Sequence, residues 1–127
     1  MTQSPEDSLL TVKRLCPHDL ATAVQWDSFV RTCPEATFFH RAGWQKIVQD
    51  IFHHDTYFLY VEAGGRIQGV LPLGHVKSWL FGNSLVGMPF AVYGGVAAVS
   101  AQAAEALEFE AQKIAVRLGV SLLNGAM

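Results

Sequence analysis

The order of hydrophobic and polar positions divides the chain into segments with two different periods. Aromatic and β-branched residues fill Thr56–Glu62, Ile67–Val76 is again strand-like, and the turn-forming residues Ala63–Arg66 lie between them. Such a pair of runs predicts a β-hairpin whose two glycines take positive φ angles. Pro72 cannot donate a hydrogen bond to a neighbouring strand, so it predicts an edge position or a bulge in the second strand of the hairpin.

Three other segments repeat apolar residues at helical spacing. The first follows Asp19, a candidate N-cap, and ends before Pro34. Its predicted inward residues are Leu20, Ala23, Val24, Trp26, Asp27, Phe29 and Val30. The second covers His40–Phe52, with an inward stripe of Trp44, Ile47, Val48 and Ile51. The third runs from the N-cap Ser100 to about Leu118, where Gly119 is the expected C′ residue; its predicted inward residues are Ala104, Leu107, Ala111, Ile114 and Leu118.

Short apolar runs complete the pattern and set the fold class. They are Leu9–Cys16, Asn83–Met88 with Ala91–Tyr93 as a strand pair or one interrupted strand, and Val120–Leu123, while Val96–Val99 leads into the third helix. The resulting order, β-α-α-β-β-β-α-β, predicts an α+β fold with a mostly antiparallel sheet flanked by helices. No return strand follows Val120–Leu123. We therefore expect the sheet to be incomplete at the C-terminus and the chain to be the front part of a longer protein.

Composition and charge exclude several classes of protein. Half of the 127 residues are hydrophobic, 16% are charged and the net charge is −2, which excludes a disordered chain. Nine Lys and Arg against eleven Asp and Glu leave no basic surface for DNA. The N-terminus lacks the features of a secretory signal, so we expect a cytoplasmic protein. The uncharged stretch Trp79–Ser100 is long enough to cross a bilayer, but its glycines and Pro89 favour buried strands over a membrane span.

Few residue patterns point to a particular chemistry. His53-His54-Asp55 lacks the spacing of a metal site, because adjacent side chains point in different directions. Gly94-Gly95, between a strand and a helix, can present backbone N–H groups to an anion or can simply bend the chain. His40 and Tyr93 carry polar tips in aromatic surroundings, so they are candidates for lining a cleft, although most aromatic residues here are expected to pack in the core.

Five short motifs occur in an order that resembles FemAB-like proteins, in particular the group associated with PEP-CTERM and exosortase systems of bacteria. They are ATFFHRAGW at Ala36–Trp44, GRIQGVLPL at Gly65–Leu73, LFGNSL at Leu80–Leu85, PF at Pro89-Phe90 and YGG at Tyr93–Gly95. The helix at Ala111–Val120 is also similar. The resemblance covers roughly residues 19–123.

The resemblance implies a fold of two tandem GNAT-like (N-acetyltransferase-like) domains. Residues 1–18 would then be an N-terminal segment with the first strand, and residues 19–127 a partial GNAT-like domain, the first of the two. Its partner would be the missing C-terminal GNAT-like half, so we expect the isolated chain to be inactive. The implied activity is acyl or aminoacyl transfer in cell-envelope or exopolysaccharide processes. The donor would be acyl-CoA or aminoacyl-tRNA, and the acceptor a small molecule or a peptidoglycan or polysaccharide precursor.

Motif positions and polar character together select seven candidate substrate-binding residues. They are His40, Trp44, Asn83, Pro89, Phe90, Tyr93 and Gly94. No cofactor, metal ligand or catalytic residue is assigned. The segment Tyr93–Ala98 lacks the pyrophosphate-loop pattern of active GNAT domains. Two alternatives to the FemAB-like transferase stay open for the function of the chain: a non-catalytic binding module and a stand-alone GNAT-type N-acetyltransferase.

Overall fold

A computed structural model describes residues 9–37, 40–52, 55–78, 82–87 and 96–123. The elements are β1 (Thr11–Arg14), α1 (Leu20–Thr32), α2 (Gly43–Phe52), β2 (Asp55–Ala63), β3 (Arg66–Ser78), β4 (Gly82–Gly87), β5 (Ala97–Ala98), α3 (Ala101–Leu118) and β6 (Ser121–Leu123). This order confirms the predicted α+β class. No helix within these ranges combines the length and the apolar character that crossing a bilayer requires.

The strands form one mixed but mostly antiparallel sheet. Within the described ranges its order is β1-β2-β3-β4-β6, and the short strand β5 pairs with β3. The pairs β1–β2, β2–β3, β3–β4 and β3–β5 are antiparallel, whereas β4 and β6 are parallel. Both β4 and β5 pair with β3. The predicted strand Ala91–Tyr93 lies outside the described residues.

The β2–β3 hairpin forms as predicted, with φ angles of 60° at Gly64 and 78° at Gly65. β3 is a central strand, and its register with β2 shifts between Val61 and Glu62, so the predicted bulge at Pro72 is wrong. The edge alternative holds only locally, because the described pairs on the other side of β3 end at Leu73 and resume at Val70. Pro72 is tolerated for a local reason. It lies opposite Phe58, whose carbonyl accepts the backbone N–H of Leu15 at 2.7 Å and so points towards β1. The nitrogen of Pro72 therefore points away from β2, to the side of β4 and β5.

The first helix covers one face of the sheet with a narrower set of residues than predicted. Trp26, Phe29 and Val30 are buried, but Leu20 is 76% exposed and Val24 is 65% exposed. At 100° per residue, Val24 lies about 160° around the helix from Trp26, so the two cannot both face the sheet. Leu20 and Val24 were therefore wrongly predicted to face inward. The predicted cap is confirmed, since Asp19 Oδ1 accepts the backbone N–H of Thr22 at 3.1 Å.

The second helix begins at Gly43, three residues later than predicted. Asp27 Oδ1 accepts the backbone N–H of Ala42 at 2.8 Å, so a carboxylate from α1 fixes the entry to α2. Val48 is buried as predicted, whereas Ile47 is 38% exposed. The helix instead buries Gln45, whose side-chain amide reaches the sheet.

The third helix covers the opposite face. Its buried residues are Ala103, Leu107, Ala111, Ile114 and Ala115. Ser100 accepts the backbone N–H of Ala103, and Gly119 has a φ of 71°, so both predicted caps are confirmed. Helices on both faces bury the central strand β3, and this explains why its sequence is continuously apolar from Val70 to Leu73.

Candidate functional site

The fourth strand of the sheet is broken by an excursion of the chain. Gly87, the last residue of β4, lies opposite Leu73, and Ala97 of β5 lies opposite Val70. A continuous strand would need two residues to pass Pro72 and Leu71. The chain has nine residues, 88–96, between the same two points, which is seven more than the sheet requires. The two anchoring positions on β3 are about 10 Å apart. We call this gap between β4 and β5 the strand break.

Pro72 lies on β3 at the strand break. Its nitrogen carries no hydrogen and points towards the gap, so the interruption leaves no unpaired donor at this position. A few residues along β3, Gly69 lets β5 approach closely. A Cβ atom at Gly69 would lie 2.9 Å from the Cβ of Ala98 and 3.0 Å from Cδ1 of Leu107. Pro72 therefore suits the strand break, and Gly69 suits the close packing of β5 against β3.

Two further elements border the strand break. Glu35, in the connection between α1 and α2, accepts the backbone N–H of Ala98 through Oε1 at 3.4 Å. The backbone N–H of Val99 donates to the carbonyl of Gln68 at 3.0 Å. Ser100 is the N-cap of α3, so the positive end of that helix lies two residues after β5. The break thus lies beside one carboxylate and one helix N-terminus.

Four of the seven predicted site residues belong to the excursion itself. Pro89, Phe90, Tyr93 and Gly94 lie outside the described residues, so their role stays a prediction. Their positions in the chain place them between the end of β4 and the start of β5. Trp44 lies in the first turn of α2 and packs against the core on the α1 and α2 face.

His40 is a buried residue with structural contacts. It lies three residues before the start of α2 and is only 3% exposed. The backbone N–H of Thr37 donates to its Nδ1 at 3.0 Å. Its carbonyl accepts the indole N–H of Trp26 at 2.6 Å. These contacts fix the path of the chain between α1 and α2, and the substrate-contact role of His40 stays a prediction.

Asn83 lies away from the strand break and pairs with a histidine that the sequence analysis missed. His75 Nε2 lies 2.6 Å from Asn83 Oδ1, on the neighbouring strand. Because a carbonyl oxygen only accepts, His75 donates through Nε2. Asn83 and Gly87 are four residues apart on β4, or about 13 Å. The structure therefore does not place Asn83 beside the excursion. The pair follows from the strand register, in which His75 lies opposite Leu85, two residues from Asn83 on β4. The sequence alone does not give this register.

Metal and thiol chemistry find little support in the described ranges. No group of three or more His, Cys, Asp or Glu side chains there could hold a metal ion. Cys16 is exposed and Cys33 is buried, and both are free thiols.

Comparisons of the chain with protein-family models, with curated proteins and with solved structures gave no match.

Proposed function

We propose that this chain forms the donor-binding part of a FemAB-like acyl or aminoacyl transferase that works in the bacterial cytoplasm on envelope or exopolysaccharide precursors. The observation that carries the proposal is the strand break, which lies between an antiparallel hairpin and the parallel β4–β6 pair. In a GNAT-type sheet, to which the sequence motifs point, the donor lies where two neighbouring strands separate. Here β4 and β6 would be those strands; they are paired from Ser84 to Val86, so the separation would begin beyond these residues, next to Gly87.

The proposed reaction is mainly a problem of positioning. An acceptor that binds as an ammonium first gives one proton to a base. The nitrogen of the resulting amine then attacks the acyl carbonyl carbon, the bond from that carbon to the donor oxygen or sulfur breaks, and the nitrogen loses a second proton, which the departing oxygen or sulfur can take up. Holding both reactants in the correct orientation supplies much of the acceleration of such a step. N–H donors that face the developing oxyanion supply a further part.

The carboxylate of Glu35, beside the strand break, favours an acceptor that binds as a cation. Its carboxylate is exposed and is held against β5 by the backbone N–H of Ala98. A carboxylate attracts an ammonium group and repels a phosphate. We therefore place the acceptor amine on the Glu35 side of the break and the acyl group of the donor on the β6 side.

Donor binding by the chain itself tests this proposal. Acetyl-CoA and an alanyl-tRNA are titrated separately into ¹⁵N-labelled protein, and the backbone amides of residues 97–103 are followed by NMR. One of the two donors is expected to shift these amides saturably, while the amides of β1 at the far edge of the sheet stay unchanged. Saturation by acetyl-CoA favours an acyl-CoA enzyme, and saturation by alanyl-tRNA favours aminoacyl transfer.

A matched pair of variants makes the test specific. Tyr93→Ala is expected to remove the shifts, whereas Phe109→Ala, which removes an exposed aromatic ring from α3, is expected to keep them. The proposal is wrong if neither donor moves the amides of residues 97–103. It is also wrong if the two variants behave alike.

A further inference from the structure

A second cleft lies at the other side of the sheet, between β1, β2 and the C-terminal half of α3. It encloses about 130 Å³. Its lining residues are Val12, Lys13, Arg14, Tyr57, Leu59, Glu110, Ile114 and Arg117. The apolar members Leu59 and Ile114 are buried, whereas Arg14 and Arg117 are exposed. The cleft therefore has an apolar floor and a charged rim.

Arg14 is held in place by the way β1 ends. The strand stops at Arg14, so the carbonyl of Thr56 on β2 has no partner from the β1 backbone. The guanidinium replaces that partner, with Nε donating to the Thr56 carbonyl at 3.0 Å and Nη2 donating to the same oxygen. Its Cζ also lies 4.1 Å from the ring centroid of Tyr57. Nη1 has no hydrogen-bond partner within the described ranges, so an oriented donor remains available.

The charges around the rim leave a positive balance. Lys13 forms an ion pair with Glu62 on the other face of the sheet. Glu110 Oε1 lies 3.2 Å from the ammonium of Lys113, so its charge is offset within α3. Arg117 has no ion-pair partner among the residues that the structure describes. Two guanidinium groups, one of them fixed, thus border the same small apolar cleft.

We propose that this cleft binds a small monocarboxylate with an apolar body. The carboxylate lies between Arg14 and Arg117, because guanidinium groups form strong, directional hydrogen bonds to carboxylates. The apolar body lies against Val12, Leu59 and Ile114. A cavity of about 150 Å³ holds benzene, so the volume here suits a body of about six carbon atoms. This site is separate from the strand break and does not depend on the proposed transferase function.

Benzoate and benzamide provide the probe and its uncharged control. Each is titrated into the purified chain, and binding is followed by NMR shifts of the Leu59 and Ile114 methyl groups. Benzoate is expected to saturate these shifts, and benzamide is expected to bind at least about tenfold more weakly, since it lacks the charge that the two arginines recognise. Equal binding of the two compounds, or no saturation by benzoate, would overturn the proposal.

Two arginine variants separate a specific site from general attraction. Arg117→Gln is expected to weaken benzoate binding about fivefold to tenfold, because one charged donor is lost. Arg66→Gln removes an exposed arginine at the β2–β3 turn and is expected to leave the affinity unchanged. Thermal unfolding of both variants verifies that they are folded. If both variants lose affinity equally, the attraction comes from net charge and the proposed site is wrong.

Discussion

Replacing Thr56 with valine tests how α2 is fastened to the sheet. Thr56 is fully buried on β2, and its hydroxyl accepts hydrogen bonds from Gln45 Nε2 at 3.1 Å and from Gln49 Nε2 at 3.0 Å. Gln45 also donates to the carbonyl of Leu15 at 2.8 Å. Valine has nearly the same shape as threonine. The change therefore removes the acceptor without creating a cavity.

The expected loss follows from the burial of the two amides. Gln45 is 3% exposed, so its orphaned N–H has no access to water, and such a group costs about 1–3 kcal/mol. Gln49 is only partly buried, and its amide can turn to solvent at little cost. Valine is also preferred in strands, on a scale that spans about 1 kcal/mol. The net effect is a decrease of about 1–2 kcal/mol in the free energy of unfolding.

Urea unfolding followed by far-UV circular dichroism measures this change, with a fall in Tm of roughly 3–10 °C as the thermal counterpart. Thr11→Val is the matched control, because Thr11 is exposed on β1 and its replacement is expected to change stability by less than about 0.5 kcal/mol. The reasoning is refuted if Thr56→Val and Thr11→Val are equally stable. Combining Thr56→Val with Gln45→Leu should destabilise less than the two single changes added together, since both partners are then apolar.

Three further substitutions test the close contact at Gly69, the N-cap of α1 at Asp19 and the buried side chain of Tyr60. Gly69→Ala forces its new Cβ against Ala98, so we expect a loss of about 1–3 kcal/mol in urea unfolding. Hydrogen bonds from Thr22 hold the pKa of Asp19 below its usual value. The ionised Asp19 therefore contributes to stability above about pH 4, and this contribution is lost as the pH falls further. In a plot of the free energy of unfolding against pH, Asp19→Ala should therefore reduce the decrease below about pH 4. Burial raises the pKa of Tyr60, so stability is lost as the pH rises above about 10, and Tyr60→Phe should reduce that loss.

Local signals predicted the order of elements well. Asp19, Ser100 and Gly119 each lie where a helix starts or ends, because a cap depends on a few neighbouring residues and can be identified without the rest of the fold. The hairpin glycines are local in the same sense, since two residues define the turn.

The errors arise where a distant partner decides the outcome. Val24 and Ile47 are apolar and helical, but which face of each helix is buried depends on where Trp26 and Gln45 meet the sheet. The pair of His75 and Asn83 requires the strand register. Contacts of this kind join residues far apart in sequence, and period and composition do not encode them.

The candidate site shows the same division. The sequence analysis placed four candidate site residues after β4, and the strand break lies in that part of the chain. The contribution of Glu35 was missed, because its contact with Ala98 joins residues 63 positions apart. The cleft beside Arg14 was missed for a similar reason, since its rim combines β1 with the end of α3.

The chain enters and leaves the strand break at two positions that are both paired with β3, and this pairing does not depend on the number of residues between them. Leu73 and Val70 anchor the flanking residues Gly87 and Ala97 on one rigid strand. Doubling the length of a flexible loop adds only about 0.6 kcal/mol to its closure. Peptides of other lengths are therefore expected to be accepted between these anchors as long as the pairs of Gly87 with Leu73 and of Ala97 with Val70 still form.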